Sequence, residues 1–262
     1  MILEHVKNSK LAILRRSRLR LIGELNHEAA RNDFIEALND VSKSIRSIAR
    51  FYLKDWSSEK FSQHYLGLLS QNQSNREFRG ALFGLSEVTP KKAHDISMQM
   101  LSSTLSDSQA KTCIECLNLD SNDLSEEQIL TWLSSPVPAI TRACYRSLLS
   151  FKKILPAESL YQIATNLTLP LFTRNSTAQL LQVGPKWERL PWLFNLAGNH
   201  EQELRSQGIA SLNLWLRSFG RSFMHPTPTE KELIQNHFET SKAFLEPTLR
   251  LQFENLFKNA LS

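Results

Sequence analysis

One pattern constrains this chain more than any other: a short helical signature returns along it at a nearly fixed interval. The clearest copy is Thr-Arg-Ala-Cys-Tyr-Arg-Ser-Leu, running from Thr141 to Leu148. Steps of 31 or 32 residues land on Arg15, Ser47, Arg79, Lys111, Arg142, Arg174 and Ser206. Two residues after each stands a small one, namely Ser17, Ala49, Ala81, Cys113, Cys144, Ser176 and Gly208. Six residues after each stands a leucine: Leu21, Leu53, Leu85, Leu117, Leu148, Leu180 and Leu212. At about 100° per residue the two columns lie one turn apart on one face of a helix. The small residue lets a neighbouring helix approach to about 8–10 Å, and the leucine fills the space beyond it. Self-similarity at this period is the mark of stacked helical units, none of which can bury its apolar face alone.

Turn and cap signals divide the chain accordingly. A basic amphipathic helix is expected over 8–22, closed by Gly23 as an N-terminal cap of the array. Helix pairs are then expected at 27–38 with 41–54, 59–70 with 74–87, 90–102 with 106–119, 125–134 with 138–151, 157–166 with 171–182, and 186–197 with 201–219. Thr89-Pro90 and Ser125-Glu126-Glu127 are helix starts, since proline suits a first turn and carboxylates suit the positive end of the helix dipole. Pro191 is expected to kink or shorten its helix. Past Gly220 the periodicity fails, leaving an irregular connection with Pro226 and Pro228 and two further helices, about 230–245 and 247–261. No segment alternates with period two, so the expectation is an all-α chain: an α-solenoid of about six helix pairs with atypical terminal caps, forming one domain over 1–262, regular over 8–219 and capped over 220–262.

Composition narrows the function classes. The chain has 262 residues, 41% hydrophobic and 22% charged, as globular proteins do. No apolar run nears the length of a membrane span, and no secretory leader is expected at the start. Three cysteines do not make a disulfide framework, which fits a cytoplasmic setting. The formal net charge of +5 is local, because Lys7, Lys10, Arg15, Arg16, Arg18 and Arg20 face Glu4 alone in the first twenty residues. That argues against a uniformly basic surface and for one basic terminal helix.

Helix pairs of about 32 residues whose second helix reads basic-x-small-x-x-x-Leu resemble the short HEAT-like repeats of the kind named after phycobilisome lyases. Tetratricopeptide and ankyrin repeats would carry a Trp, Gly and Tyr pattern or Thr-Pro-Leu-His, both missing here. HEAT-like families place an Asp before the second helix to bond an Arg of the neighbouring repeat. Asp40 with Arg46 fits that device, whereas no Asp precedes Arg142 or Arg174. The chain is also remotely similar to HEAT-like alkylpurine DNA glycosylases in joining a helical array with arginines and five tryptophans, Trp56, Trp132, Trp187, Trp192 and Trp215. No catalytic Asp flanked by Trp and Arg can be matched to that family, and tryptophans at helical spacing also serve as core anchors.

The candidate partner-binding or phosphate-binding residues are cations. The column Arg15, Arg79, Lys111, Arg142 and Arg174 lies about 120° from the core stripe and is expected to be solvated, a ladder suited to phosphates or an acidic partner on the concave face. The competing reading makes it a set of hydrogen bonds between repeats. Arg16, Arg18 and Arg20 could dock the first helix on nucleic acid, an acidic protein or an anionic membrane, or the helix could simply pack as a cap. Arg217 and Arg221, with Phe219, Phe223 and His225, form a possible partner contact. Cys113-Ile-Glu-Cys116 is read as structural, because two of the three cysteines fall in the small column. His27-Glu28 begins like a zinc-protease pair, but Arg31 stands where the second ligand would be. No catalytic residue, metal site or cofactor is expected. The reading is a non-enzymatic scaffold that binds a protein through its concave, partly basic face. The alternative is a nucleic-acid-binding protein, with a diverged DNA glycosylase as one form of it; a chromophore lyase or chaperone-like subunit is a third, by analogy alone.

Overall fold

The computed structural model describes residues 6–25, 30–71, 74–121, 123–219 and 225–260. Among them the chain is all-helical, with fifteen α-helices, one short 3-10 turn and no strand. No helix among the described residues is long and apolar enough to cross a membrane. The contacts divide the helices into two compact units, Met1–Asn118 and Leu119–Ser262.

The first unit holds α1 (Ala12–Leu25), α2 (Arg31–Ala37), α3 (Lys43–Tyr52), α4 (Ser58–Leu69), α5 (Asn75–Val88), α6 (Pro90–Leu101) and α7 (Asp107–Cys116). The second holds α8 (Glu126–Leu133), α9 (Pro138–Phe151), α10 (Ala157–Thr165), α11 (Leu171–Leu180), α12 (Lys186–Ala197), α13 (Gln202–Phe219), α14 (Pro228–Ser241) and α15 (Pro247–Ala260). Local chemistry sets many of these boundaries. Ser74 with Glu77, Ser106 with Gln109, Ser125 with Gln128 and Thr227 with Glu230 form reciprocal capping boxes, each satisfying two backbone donors left free at a helix start. Pro90, Pro138 and Pro228 occupy first turns, where the missing N–H has no partner to lose. Helix α9 ends on Lys152 in the left-handed region at φ 52, with Lys153 N donating back to Leu148 O at 3.1 Å. Pro191 lies inside α12 without ending it, so the helix keeps its expected 186–197 span.

Within each unit the helices pack on neighbours close in sequence. Helix α1 lies on α3, α3 on α5 and α5 on α7; in the second unit α9 lies on α11 and α11 on α13. These are the helices that carry the repeated signature. Polar contacts mark the spacing. Thr141 and Thr173 bring their hydroxyls to 3.3 Å, both donating to Ser135 O, across 32 residues. Gln207 donates to Asn175 O at 3.2 Å over the same interval, and in the first unit Tyr52 Oη donates to Arg20 O at 3.4 Å, again 32 residues apart.

The core columns fall where the signature puts them, with one exception. Leu53, Leu85, Leu117, Leu148, Leu180 and Leu212 are buried, as are Ala49, Ala81, Cys113, Cys144, Ser176 and Gly208. Leu21 is 44% exposed and Ser17 is exposed too, so the expected register fails in α1. There the inward side chains are Arg15, Arg18, Leu19 and Gly23. Gly23 does not end the helix as expected. It lies beneath the Tyr52 ring, where an added Cβ would stand 2.3 Å from the ring carbon. The Tyr52 ring is itself stacked on Phe34 at 4.7 Å. A glycine-floored slot for Tyr52 and a buried place for two arginines together rotate α1 away from the register of its successors.

Candidate functional site

The basic column is expected to be solvated, and two of its members are not. Arg15, at 7% exposure, and Arg174, at 5%, are buried, which corrects that expectation for both. Arg15 donates from Nε and Nη2 to the two oxygens of Asp40 at 2.8 and 3.0 Å, and from Nη1 to Ser9 O. Arg174 donates from Nε to Ala164 O at 3.0 Å and from Nη1 to Glu201 Oε2 at 3.0 Å, while Nη2 reaches Glu201 Oε1. These hydrogen bonds hold the Glu201 carboxyl below its ordinary value. Arg18, expected on a docking face, is also buried, with Nη2 donating to Asp33 at 2.8 Å.

The geometry repeats. An arginine early in one signature helix reaches a carboxylate at the approach to the next: Arg15 of α1 meets Asp40 ahead of α3, and Arg174 of α11 meets Glu201 ahead of α13. Asp40 therefore pairs by its side chain with Arg15, and it is the Asp40 backbone carbonyl that accepts from Arg46 at 2.6 Å. Arg46 turns instead to Glu87, whose carboxylate it shares with Arg50. Nor is Arg174 without a partner, as the missing Asp implied; a Glu takes that role from the far side of the intervening helix. Bidentate arginine pairs in such dry places fix geometry as well as charge.

The other members of the column are less committed. Arg79 and Lys111 flank Glu115 at 3.7 and 3.8 Å and stay partly exposed. Arg142 is exposed, its guanidinium 4.4 Å from the centroid of the Phe172 ring on α11. Arg146, one turn on, is exposed as well, and beside it Tyr145 Oη donates to Gln179 of α11 at 2.9 Å. Neither Arg146 nor Phe172 belongs to the repeated column, although Arg146 follows Arg142 at i+4 and so shares its side of the helix. Arg20 is exposed and Arg16 half-buried, and neither meets an acidic partner among the described residues. Arg217 is exposed in the last turn of α13. Arg221, Phe223, His27 and Glu28 lie outside the described residues.

Several other candidates resolve into structure. Trp215 is fully buried, with Nε1 donating to Lys186 O at 2.7 Å; its ring meets those of Trp187, Phe219 and Phe253. Phe219 thus belongs to this core and not to an exposed contact loop. Lys186 lies over the Trp215 and Phe219 rings and donates to the terminal carbonyls of α13, Ser218 O at 3.0 Å and Phe219 O at 2.7 Å. Burial pushes its ammonium below the usual lysine value. Burial pushes the thiols of Cys113, Cys116 and Cys144 up to about 12, the opposite of what a nucleophile or redox thiol needs.

A cavity of about 570 Å³ opens in the first unit between α1, α2 and the start of α5. Its walls include Lys7, Arg15 and Arg18, already paired there with Glu36, Asp40 and Asp33. The charge around it is largely self-compensated, so it lacks the unbalanced cations that hold a phosphate. Compared with the models of known protein families and with curated proteins, the chain matches none.

Proposed function

We propose that this chain is an α-solenoid of about six short HEAT-like helix pairs with atypical end caps, and that it works as a non-enzymatic scaffold binding a protein partner through the face of its signature helices. One observation carries the reading: the helices that repeat in sequence pack on one another within each unit, with polar contacts 32 residues apart and a leucine-and-small-residue seam beneath. Repeats built this way present broad, rigid surfaces without catalytic groups. On that surface Arg142, seated on Phe172, and Arg146 supply exposed cations for an acidic partner. Aromatic-backed arginines are favoured anchors in protein interfaces.

The nucleic-acid reading ranks second. Of the five cations proposed as a ladder, Arg15 and Arg174 are held in buried ion pairs and cannot neutralise phosphates without leaving Asp40 and Glu201 unpaired. The test is capture from native lysate with Arg142→Glu/Arg146→Glu as the control. The scaffold reading expects one stoichiometric protein, lost with the double variant. Retention on nucleic acid that falls steeply between about 50 and 200 mM salt and is lost in the same variant would replace it with the alternative.

A further inference from the structure

Two connections of the second unit, 152–156 after α9 and 181–185 after α11, leave apolar side chains in solvent where the signature seam ends. The left-handed residue Lys152 turns the chain at the end of α9, and Lys153 N donates back to Leu148 O. Beyond that turn Leu155 is buried, while Ile154 is 49% exposed. After α11, Val183 is 36% exposed. Ile154 and Val183 edge a shallow notch that Lys153 and Gly184 also line. Its floor includes Leu148 and Leu180, the buried seam leucines of α9 and α11. The notch is small, about 10 Å³, the space of one water-sized group. A side chain of a partner would therefore rest on its edges with only a tip inside.

Charge decides what sits there. Arg189 of α12 lies against Gly184, where an added Cβ would stand 4.0 Å from Arg189 Cβ and meet nothing nearer. Arg189 is half-buried and its Nε is buried without an acceptor. Burial pushes its guanidinium below the usual arginine value, and its charge adds to burial in lowering the Lys186 ammonium. The buried Arg15, Arg46 and Arg174 are each met by a carboxylate. Among the described residues Arg189, Lys152 and Lys153 meet none. The acidic residues closest in sequence point elsewhere: Glu158 stands about 160° around α10 from Leu160, which lines the notch, and Glu188 about 100° around α12 from Arg189. Each wall of the notch thus carries a cation without a counter-charge. We propose that this notch binds an acidic segment of a partner protein, an apolar side chain resting on Ile154 and Val183 and flanking carboxylates meeting Lys153 and Arg189. The apolar contact gives affinity and the charges give orientation. The proposal rests on the scaffold reading and names a partner segment for it, at the far end of α9 from Arg142.

The test uses the full chain and a short fluorescein-labelled synthetic peptide with two leucines between runs of glutamate. Anisotropy is expected to report saturable binding that weakens with salt. Ile154→Ser/Val183→Ser is expected to raise Kd by about tenfold or more, and Lys153→Gln/Arg189→Gln to do the same while flattening the salt dependence. Gly184→Leu covers the place beside Arg189 without touching a charge, and is expected to block binding. Circular dichroism and urea unfolding check each variant; Arg189→Gln is expected to be as stable as wild type, because it has no partner to lose. A companion peptide with lysines for glutamates is expected not to bind. Equal binding of both peptides, or of wild type and Gly184→Leu, overturns the proposal, and so does a loss of stability in Arg189→Gln, which makes that arginine structural. Sedimentation showing a dimer dispersed by Ile154→Ser/Val183→Ser also overturns it, assigning the notch to a second copy, as does capture by anionic vesicles in preference to the peptide. Because Arg142→Glu/Arg146→Glu leaves the notch intact, that variant is expected to bind the peptide normally. Failure here and failure of the lysate capture are therefore separate results.

Discussion

Replacing Gly208 by alanine puts the packing logic under its most direct strain. Alanine is the better helix former, by about 1 kcal/mol, so an unobstructed site in the middle of α13 would gain from the change. Gly208 is obstructed. A methyl there would stand 2.3 Å from Ala197 N, 2.6 Å from Leu196 C and 2.8 Å from Ala197 Cα, all backbone atoms of α12. A neighbour at such distances must retreat by about 1 Å to reach ordinary contact, and a backbone inside a packed helix cannot yield as a side-chain tip does. Overpacking of this kind costs about 1–3 kcal/mol or more, and because the three nearest atoms are all backbone the upper end applies. The net expectation is a loss of about 2 kcal/mol or more after the helix-propensity gain of about 1 kcal/mol. Urea unfolding followed by tryptophan emission reads it well, because Trp187 on α12 and Trp215 on α13 stand 5.3 Å apart in the same helix pair. Gly67→Ala on α4 is the matched control: nothing lies within 4 Å of its added Cβ, and it is expected to stabilise the first unit by about 0.5–1 kcal/mol. If Gly208→Ala is as stable as wild type or more so, with an unchanged denaturant slope, the close approach of α12 and α13 is refuted.

Two further perturbations address the buried polar groups. Arg174→Met removes the donor to Ala164 O and frees Glu201, and the orphaned carbonyl alone is expected to cost about 1–3 kcal/mol in urea unfolding. Because Arg174 holds the Glu201 carboxyl below its ordinary 4.5, the stability from that pair is present above the unfolded value and fades as pH falls through the folded one. A side-chain NMR titration is expected to show Glu201 moving up toward 4.5 in Arg174→Met, and an unmoved carboxyl would contradict the pairing. Burial pushes the His64 imidazole below its ordinary 6.5, so the folded protein favours the neutral ring. Stability is then complete above the unfolded value and declines on acidification through the folded one; His64→Phe is expected to flatten the stability profile between about pH 7 and pH 5.

The helices were legible because their signals are local. Capping serines at 74, 106 and 125, prolines at 90 and 138, and a leucine every 31 or 32 residues reflect requirements of single helices or of one helix against the next. The charged groups were less legible. Arg142 and Arg174 occupy the same column, yet one lies exposed on Phe172 and the other is sealed against Ala164 and Glu201. Whether an arginine is solvated depends on where a carboxylate arrives from another helix, and no spacing rule within one helix carries that. The departure of α1 from the register of the other signature helices has the same origin. Arg15 and Arg18 look like surface residues until Asp40 and Asp33 are brought to them, and Gly23 looks like a stop until Tyr52 lies across it.

Within each unit successive signature helices lie side by side, one repeat apart. Thr141 and Thr173 test this directly, since their hydroxyls meet at 3.3 Å across 32 residues inside the second unit. With Cys113, Cys116 and Cys144 replaced by alanine, Thr141→Cys/Thr173→Cys refolded under mild oxidation is expected to yield one intramolecular disulfide, found by mass spectrometry as a single linked peptide pair. Folded protein that keeps both thiols free, or links them only between molecules, would contradict the register on which the fold and the proposed scaffold depend.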